Sequence, residues 1–407
     1  MRVKIKCLAI FIVSGILLFG CDKESAMGPS PVGGFKSSYQ PVKREYWVAT
    51  QVIGKWDMVP SGKAVMTTDS IDPARRYIYK AMRYVRTDSN WKALPEPEWQ
   101  QLSGPIIRAT VGDSVIVHFK NDASAGMPLS MHPHNLIYNE ANEGVWRADR
   151  PGGWPEGGTA GGSVKPGEEF IYRWKAEARS AGVGPYHSHS FHPAQEVASG
   201  LIGTIIVDEP PDHPDFLKFD TAIALVFKTY LALVAPKDST KKDTVKDTCT
   251  PPLIPWNGGC HPKEHVPPDQ WPENRVDSLA HGGGPEVHTI NGIAYANLKG
   301  LTFKKGQKIR FVVLAMNDEG TQNHTVHFHG EMLREFSRRN LYKDVFDLPS
   351  AEAIDLMMDA ENPGAWMLHC HVEHHAAEMM ATYEIKDNMR ASDTTTGGHT
   401  GHYSGAH

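Results

Sequence analysis

The run Trp366-Met367-Leu368-His369-Cys370-His371-Val372-Glu373-His374-His375, closed by Met380, packs a thiolate, usable imidazoles and a thioether into one short span. A cysteine thiolate, two histidines and a weak axial methionine form the ligand set of a blue-copper electron-transfer centre, and soft sulfur donors select copper over harder metals. Cys370, His375 and Met380 supply three of those four ligands. If residues 366 to 371 are extended, His369 and His371 point to one face and Cys370 to the other. One strand then serves two metal sites, separated by only a few covalent bonds.

The missing histidine lies upstream, in Asn323-His324-Thr325-Val326-His327-Phe328-His329-Gly330. Strand parity puts His327 and His329 on one face and His324 on the other. His324 can therefore join the cysteine while its neighbours join the second cluster. Two more His-x-His pairs, His132-Pro133-His134 and His187-Ser188-His189, bring eight histidines from four strands into play. Eight imidazoles can hold three coppers, one by two and two by three each, with positions left open for oxygen. One His-x-His says little, because surface histidines are common; four in this order are specific.

The elements that must position these residues are strands. A chain of 407 residues with 40% apolar content exceeds what one core usually holds, so two compact domains are expected. Apolar and polar residues alternate in Tyr46 to Ile53, Ser114 to Phe119, Glu169 to Trp174, Gly203 to Val207, Lys308 to Leu314 and Tyr383 to Ile385. Bounded by Gly, Pro, Asp and Asn, these segments read as an antiparallel all-β sandwich architecture. Clear amphipathic helix patterns are scarce, and the sequence allows short helical turns near Pro151 to Gly157 or Ala351 to Asp359.

The chain divides into a signal peptide (1–20), a flexible tether (21–44), a first domain (45–210), an irregular linker or insertion (211–285), a second domain (286–388) and a disordered His-containing tail (389–407). Arg2, Lys4 and Lys6 precede the apolar run Cys7 to Phe19, which is long enough for a signal peptide and short for a membrane span. Leu18-Phe19-Gly20-Cys21 resembles a bacterial lipobox with Cys21 lipidated, so the expectation is an exported lipoprotein facing the periplasm or cell exterior, held by acyl chains. Asp22 resembles the inner-membrane retention signal of some Gram-negative bacteria, which leaves inner and outer membrane both open. With Cys7 removed, Cys21 acylated and Cys370 on copper, Cys249 and Cys260 remain as disulfide partners, a bridge stabilising by roughly 3 kcal/mol. In the linker, Lys237 to Thr248 alternates charged and hydroxyl residues and Pro251 to Pro272 is proline-rich. It either covers the rim of the copper site or is a solvent-exposed insertion. The tail, with His399, His402 and His407, has the composition of a solvated segment.

The formal charge of -5 becomes -8 without residues 1–20, which carry three cations and no anion. No basic patch compensates, which argues against nucleic acid and for neutral or cationic small donors.

The chain resembles the multicopper oxidases over 45 to 210 and 286 to 386, specifically the two-domain, laccase-like branch with its type 1 copper in the second domain. Arg44-Glu45-Tyr46-Trp47-Val48-Ala49, the Gly104 to Asn121 run and Gly200-Leu201-Ile202-Gly203 also resemble ceruloplasmin and hephaestin. The resemblance implies two cupredoxin-like Greek-key β-sandwiches and four coppers per chain. Type 1 copper would take His324, Cys370, His375 and Met380, and type 2 copper His132 and His327. The type 3 pair would take His134, His187 and His371 on one copper, and His189, His329 and His369 on the other. Ser188 stands where a type 1 cysteine would be and Leu129 where its histidine would be, so the first domain has no blue site. Glu143, eleven positions after His132, matches an aspartate of small laccases. It would orient water at type 2 copper or relay protons, with Glu140 as the alternative.

The resemblance further implies that electrons enter at the edge of His375, pass through Cys370, and reduce O2 to water. Two-domain relatives build the trinuclear cluster between neighbouring subunits, which implies a homotrimer. A phenolic, laccase-like donor is the first expectation. A metallo-oxidase acting on cuprous or ferrous ion is the alternative, with Glu331, Glu335, Glu373 and Met332, Met357, Met358, Met367 and Met379 near the ligands in sequence. His374 replaces the acid that ceruloplasmin carries before its last type 1 histidine, which weakens the ferroxidase reading. A copper nitrite reductase would need one catalytic copper on three histidines, and a copper-buffering lipoprotein would consume no oxygen.

Overall fold

The computed structural model describes residues 36–66, 77–147, 149, 160–231, 233–234, 253–256, 259–262, 286–316, 323–336 and 341–387. The expected lipidation at Cys21, the Cys249–Cys260 bridge, the 151–157 turn and the tail lie outside these residues. Both sandwiches belong to one compact unit that begins at Tyr39.

The first sandwich is built from β1 (Lys43–Asp57), β2 (Tyr77–Thr87), β3 (Ile106–Thr110), β4 (Ser114–Lys120), β5 (His132–Pro133), β6 (Glu169–Lys175), β7 (Gly182–His187) and β8 (Ile202–Asp208). The second uses β9 (Thr221–Leu231), with β10 (Leu233–Val234) returning to the first sandwich and β11 (Leu253–Trp256) and β12 (Gly259–Pro262) forming a hairpin of their own. It continues through β13 (Glu286–Ile290), β14 (Thr302–Lys304), β15 (Lys308–Ala315), β16 (His324–Phe328), β17 (Leu333–Glu335) and β18 (Leu341–Lys343). β19 (Val345–Leu348), β20 (Ala353–Asp359), β21 (Gly364–Cys370) and β22 (Met380–Lys386) complete it.

Alternation decides which face each strand buries. In β4, Val115, Val117 and Phe119 go to the core; in β6, Tyr172 and Trp174 do, while Glu169, Arg173 and Lys175 face out. The sheet order is β10-β2-β1-β4-β6 over β3-β8-β7-β5 in the first sandwich. In the second it is β13-β9-β15-β20-β17-β18 over β14-β22-β21-β16-β19. The two domains are cupredoxin-like β-sandwiches, as expected. The pairing departs from a purely antiparallel scheme: β1 with β4, β3 with β8, β9 with β15 and β14 with β22 run parallel. Long crossover connections between the layers make those parallel neighbours possible.

Two segments correct the sequence reading. Residues 221–231, assigned to the irregular connection, form β9 inside the second sandwich, between β13 and β15. Their run Ile-Ala-Leu-Val-Phe, residues 223–227, is buried on both faces and so carries no alternation to recognise. Ala353–Asp359, allowed as a helical turn, is β20, also buried almost throughout. No helix among the described residues is long and apolar enough to cross a membrane.

A third cluster joins the sandwiches, with Met58, Val59, Tyr79 and Leu102 of the first against Tyr230, Val287 and Ala294 of the second. Arg310 adds a polar tie. Fully buried, it donates to Asp208 of the first domain at 2.5 Å and to both carboxylate oxygens of Asp355 at 2.9 and 2.6 Å.

Candidate metal centre

β16 and β21 lie side by side, with Val326 opposite Cys370 and His327 opposite His369. The pairing turns the alternating pattern into two distinct groups of donors. On the core side, His324 opens β16, Cys370 closes β21, and His375 sits in the short 3-10 turn Glu373–His375; all three are buried. Cys370 Sγ is 3.7 Å from His324 Nδ1 and 3.6 Å from His375 Nδ1, and the two nitrogens are 3.3 Å apart. The point equidistant from these three atoms lies about 2 Å from each, close to metal–imidazole and metal–thiolate bond lengths. The donor set fits copper. Met380, also buried, opens β22 opposite His369.

Burial pushes the Cys370 thiol up, against backbone hydrogen bonds from Thr325 and Val372 that favour the thiolate. A cation at the triangle would reverse the balance. Burial first, and then neighbouring imidazoles, hold His324 down to about 3 and His375 down to about 4, so both keep a lone pair for a metal.

On the opposite side of these strands, His327, His329, His369 and His371 form one quartet of rings, with neighbouring centroids 4.4 to 5.7 Å apart. His132, His134, His187 and His189 form another in the first domain, at 5.1 to 5.6 Å. The quartets repeat one design. His132 Nδ1 donates to the Glu143 carbonyl at 2.7 Å, as His327 Nδ1 does to the Asp344 carbonyl at 3.0 Å. His187 and His369 each use Nδ1 on the carbonyl of the next residue, at 2.9 and 2.8 Å. A carbonyl on Nδ1 fixes the tautomer and leaves Nε2 as the metal-facing lone pair. The Nε2 atoms of His134 and His187 stand 3.3 Å apart, and those of His329 and His369 3.0 Å apart. These are the pairs that the resemblance assigns to two different coppers. The remaining partners, His371 and His189, sit in the opposite quartets. Burial lowers His134 to about 4 and His187 to about 3, and lowers His132, His329 and His369 as well. His189 Nδ1 is buried without a hydrogen-bond partner, as a ligand atom awaiting a metal would be.

Glu143 contributes its backbone. Gly144, at φ +73°, makes the turn possible: a Cβ there would come within 2.0 Å of the Met131 carbonyl oxygen. The close approach sets the Glu143 carbonyl on His132. Burial lowers His132 against the weaker field of the Glu143 carboxylate, and burial together with that field raises Tyr138, whereas Glu140 opens an exposed 3-10 turn. In the first domain, the place of the cysteine is filled differently. Ser188 donates to Glu196 at 2.6 Å, and Glu196 also accepts from the Ser190 and His192 amides at 2.8 Å each. Sequence reasoning missed this fully buried carboxylate; the signal available was an acid inside the helical run Pro193–Ala198.

It also missed His288. On β13, this buried histidine stacks against His375 with ring centroids 3.9 Å apart, while the exposed His374 ring lies 4.1 Å from His375. Each of the three offers a ring nitrogen within 4.8 Å of the others'. No His-x-His spacing announces His288, which reaches the centre only because β13 borders β9. Of the acids flagged from sequence, Glu331 accepts the Glu361 and Asn362 amides, Glu335 is buried within 3.6 Å of Lys343 Nζ, and Glu373 is exposed in the turn that carries His374. Met357, Met358 and Met379 are buried, Met367 is half-buried, and Met332 is exposed.

Two family models, both described as multicopper oxidase, match residues 100–212 and 268–389. Ceruloplasmin of Rattus norvegicus is 29% identical over 352 residues, covering 82% of this chain and 30% of that protein. Ferroxidase HEPHL1 of Homo sapiens is 28% identical over 380 residues (86% and 30%), and hephaestin of Rattus norvegicus 30% identical over 322 residues (74% and 24%). The chain thus spans less than a third of the length of these relatives. Among solved structures, a blue copper oxidase from Nitrosomonas europaea aligns at TM-score 0.53 and 19% identity, over 84% of this chain and 86% of that one. A copper nitrite reductase from the same organism aligns at TM-score 0.54 and 16% identity, over 84% and 94%. These two likenesses are likenesses of fold.

Proposed function

The chain belongs to the multicopper oxidase family, and from that premise we propose that it couples one-electron oxidation of a small reducing substrate at His324, Cys370, His375 and Met380 to reduction of O2 to water. The observation that carries the proposal is the sharing of β16 and β21 between a thiolate-containing triangle and an imidazole quartet. Copper bound at these sites, four ions per chain, supplies the one-electron acceptor and the four-electron reduction of dioxygen. Cys370 links the two sites covalently through His369 and His371, while the buried strand pair excludes water from the sulfur. Carbonyl contacts hold His132, His187, His327 and His369 in one tautomer, so their Nε2 atoms need no rearrangement to bind metal. The Glu143 carboxylate, on the residue whose carbonyl holds His132, would orient water or pass protons there.

The same geometry supports assembly. Each quartet pairs Nε2 atoms for one type 3 copper only, and takes its third ligand, and half of the type 2 pair, from the other quartet. Six of the eight rings are half-buried, His187 is buried and His371 is exposed, although such a cluster works shielded from solvent. A homotrimer that sets the first-domain quartet of one chain against the second-domain quartet of the next satisfies both. Lipid anchoring at Cys21, facing the periplasm or exterior, completes the proposal; the mass of the mature N-terminal peptide tests it.

A copper nitrite reductase reading leaves five of the eight cluster histidines without a task. A laccase with an open rim needs an accessible His375, but that ring is 1% exposed, behind His288 and His374. The test is oxygen uptake by copper-loaded protein with a phenol, ferrous ion and cuprous ion compared, using Cys370→Ser as the blank. The proposal expects uptake with at least one donor and none in the blank. Uptake unchanged by Cys370→Ser would overturn it.

A further inference from the structure

We propose that His288 and His374 form the substrate site of this oxidase and that the substrate they take is a monovalent copper ion. The inference rests on the oxidase reading above and names the donor that reading leaves open. Three imidazoles meet here from two elements: His288 from the middle of β13, and His374 and His375 from the turn that follows β21. With His375 Nδ1 turned to the Cys370 triangle, the outer pair His288 and His374 is free to hold an ion at its other side. His288 Nδ1 lies 2.8 Å from Thr229 Oγ1, which leaves Nε2 as its ligand atom.

The site is built rather than accidental. The His288 amide donates to Glu378 at 2.9 Å, and Tyr295 donates to the other oxygen of the same carboxylate at 2.8 Å. Glu378 thereby pins β13 to the segment that follows His375, fixing the spacing of the imidazoles. One ligand is buried and the other exposed, so an ion can arrive at His374 and settle against His288. Two nitrogens within 4.8 Å can bracket one ion, since metal–imidazole bonds are about 2 Å long.

The donor chemistry chooses the ion. The cluster consists of neutral nitrogens alone, which suit a soft, low-coordinate ion, whereas harder ions call for oxygen ligands. Glu331, Glu335 and Glu378 have other hydrogen-bonding or ion-pairing tasks, and Glu373, exposed in the same turn as His374, is not in the group whose ligand atoms lie within 4.8 Å of one another. Glu286, two residues before His288 on the same face of the strand, contributes negative charge that draws cations inward. Position explains the chemistry as well. With His375 buried, an organic donor meets the outer imidazoles first, while an ion on them lies one ring stack from the ligand, at 3.9 and 4.1 Å. Each cuprous ion gives up one electron and leaves as cupric ion. Four ions, four protons and one dioxygen yield two waters.

The test uses the copper-loaded protein, with His288→Ala and His374→Ala compared to the unmodified chain. Silver(I), a redox-inert stand-in, is titrated by equilibrium dialysis, and oxygen uptake is followed with cuprous ion, ferrous ion and an organic one-electron donor. The blue absorption band reports whether the Cys370 centre survives substitution. The expected result is one further silver ion per chain, lost in either variant. The specificity constant for cuprous ion relative to the organic donor should fall by roughly tenfold or more, the scale on which weakened ligand shells lose metal. Silver binding and a cuprous ratio unchanged in variants that keep the blue band would overturn the proposal, as would ferrous ion outcompeting cuprous ion at these residues. If the unmodified protein took up no oxygen with any donor, the oxidase reading would fall, while silver stoichiometry would still decide whether the site exists.

Discussion

Ser188 and Cys370 hold equivalent places between two histidines, yet their surroundings have diverged beyond a single atom. Around Cys370, two Nδ1 atoms converge on the sulfur. Around Ser188, Leu129 replaces the first imidazole and the Glu196 carboxylate accepts the hydroxyl proton. Ser188→Cys should therefore produce no second blue band on copper loading, and a new band near that of Cys370 would contradict this reading. Glu196 also makes a prediction about pH. Burial pushes its carboxyl up from 4.5 to about 7, against hydrogen bonds from Ser188, Ser190 and His192. Between those values the folded chain keeps a proton that the unfolded chain has released. Its contribution to stability is full below about 4.5 and lost as pH rises to about 7. Glu196→Gln should flatten that slope, by on the order of 3 kcal/mol between pH 4.5 and 7; denaturant midpoints across the range check it, and an unchanged slope would count against a protonated Glu196.

At the scale of elements, parity along β16 and β21 does most of the positioning, and parity is what a sequence displays openly. The separation of His324 and Cys370 from His327, His329 and His369 needed only the two-residue repeat of a strand. Features that depend on neighbours from distant parts of the chain were not legible. β9 escaped because a strand buried on both faces shows no alternation, and His288 escaped because its partner, His375, is brought to it by sheet order rather than by spacing. The role of Glu143 was half visible: its position was anticipated, but the contact runs through its carbonyl, which any residue could supply. That contact hangs on Gly144. Gly144→Ala should displace the 143–144 turn from Met131 and weaken copper binding at His132, measured as loss of the type 2 electron paramagnetic resonance signal while the blue band persists. Arg310 ties the sandwiches in the same long-range way. Arg310→Met takes the guanidinium from the buried Asp355 carboxylate and leaves Asp208 with Arg108 alone, and should cost on the order of 3 kcal/mol in chemical denaturation; a loss below about 1 kcal/mol would contradict a structural role for the tie.

At the scale of the molecule, the two quartets are near copies of each other, and neither is sufficient. Each presents one Nε2 pair; in the proposed division of ligands its other two imidazoles serve the partner copper and type 2 copper, which would make the cluster a property of two facing surfaces rather than of one domain. Sequence could supply the eight histidines; their division between coppers, and which surfaces face each other, were suggested only by family resemblance. The account ties copper content to assembly, and native mass spectrometry of the copper-loaded protein reads both together. The account predicts a trimer carrying four coppers per chain, whose dissociation strips the trinuclear ions and leaves one blue copper on each monomer. A monomer that retains all four coppers and consumes oxygen at the full rate would contradict it.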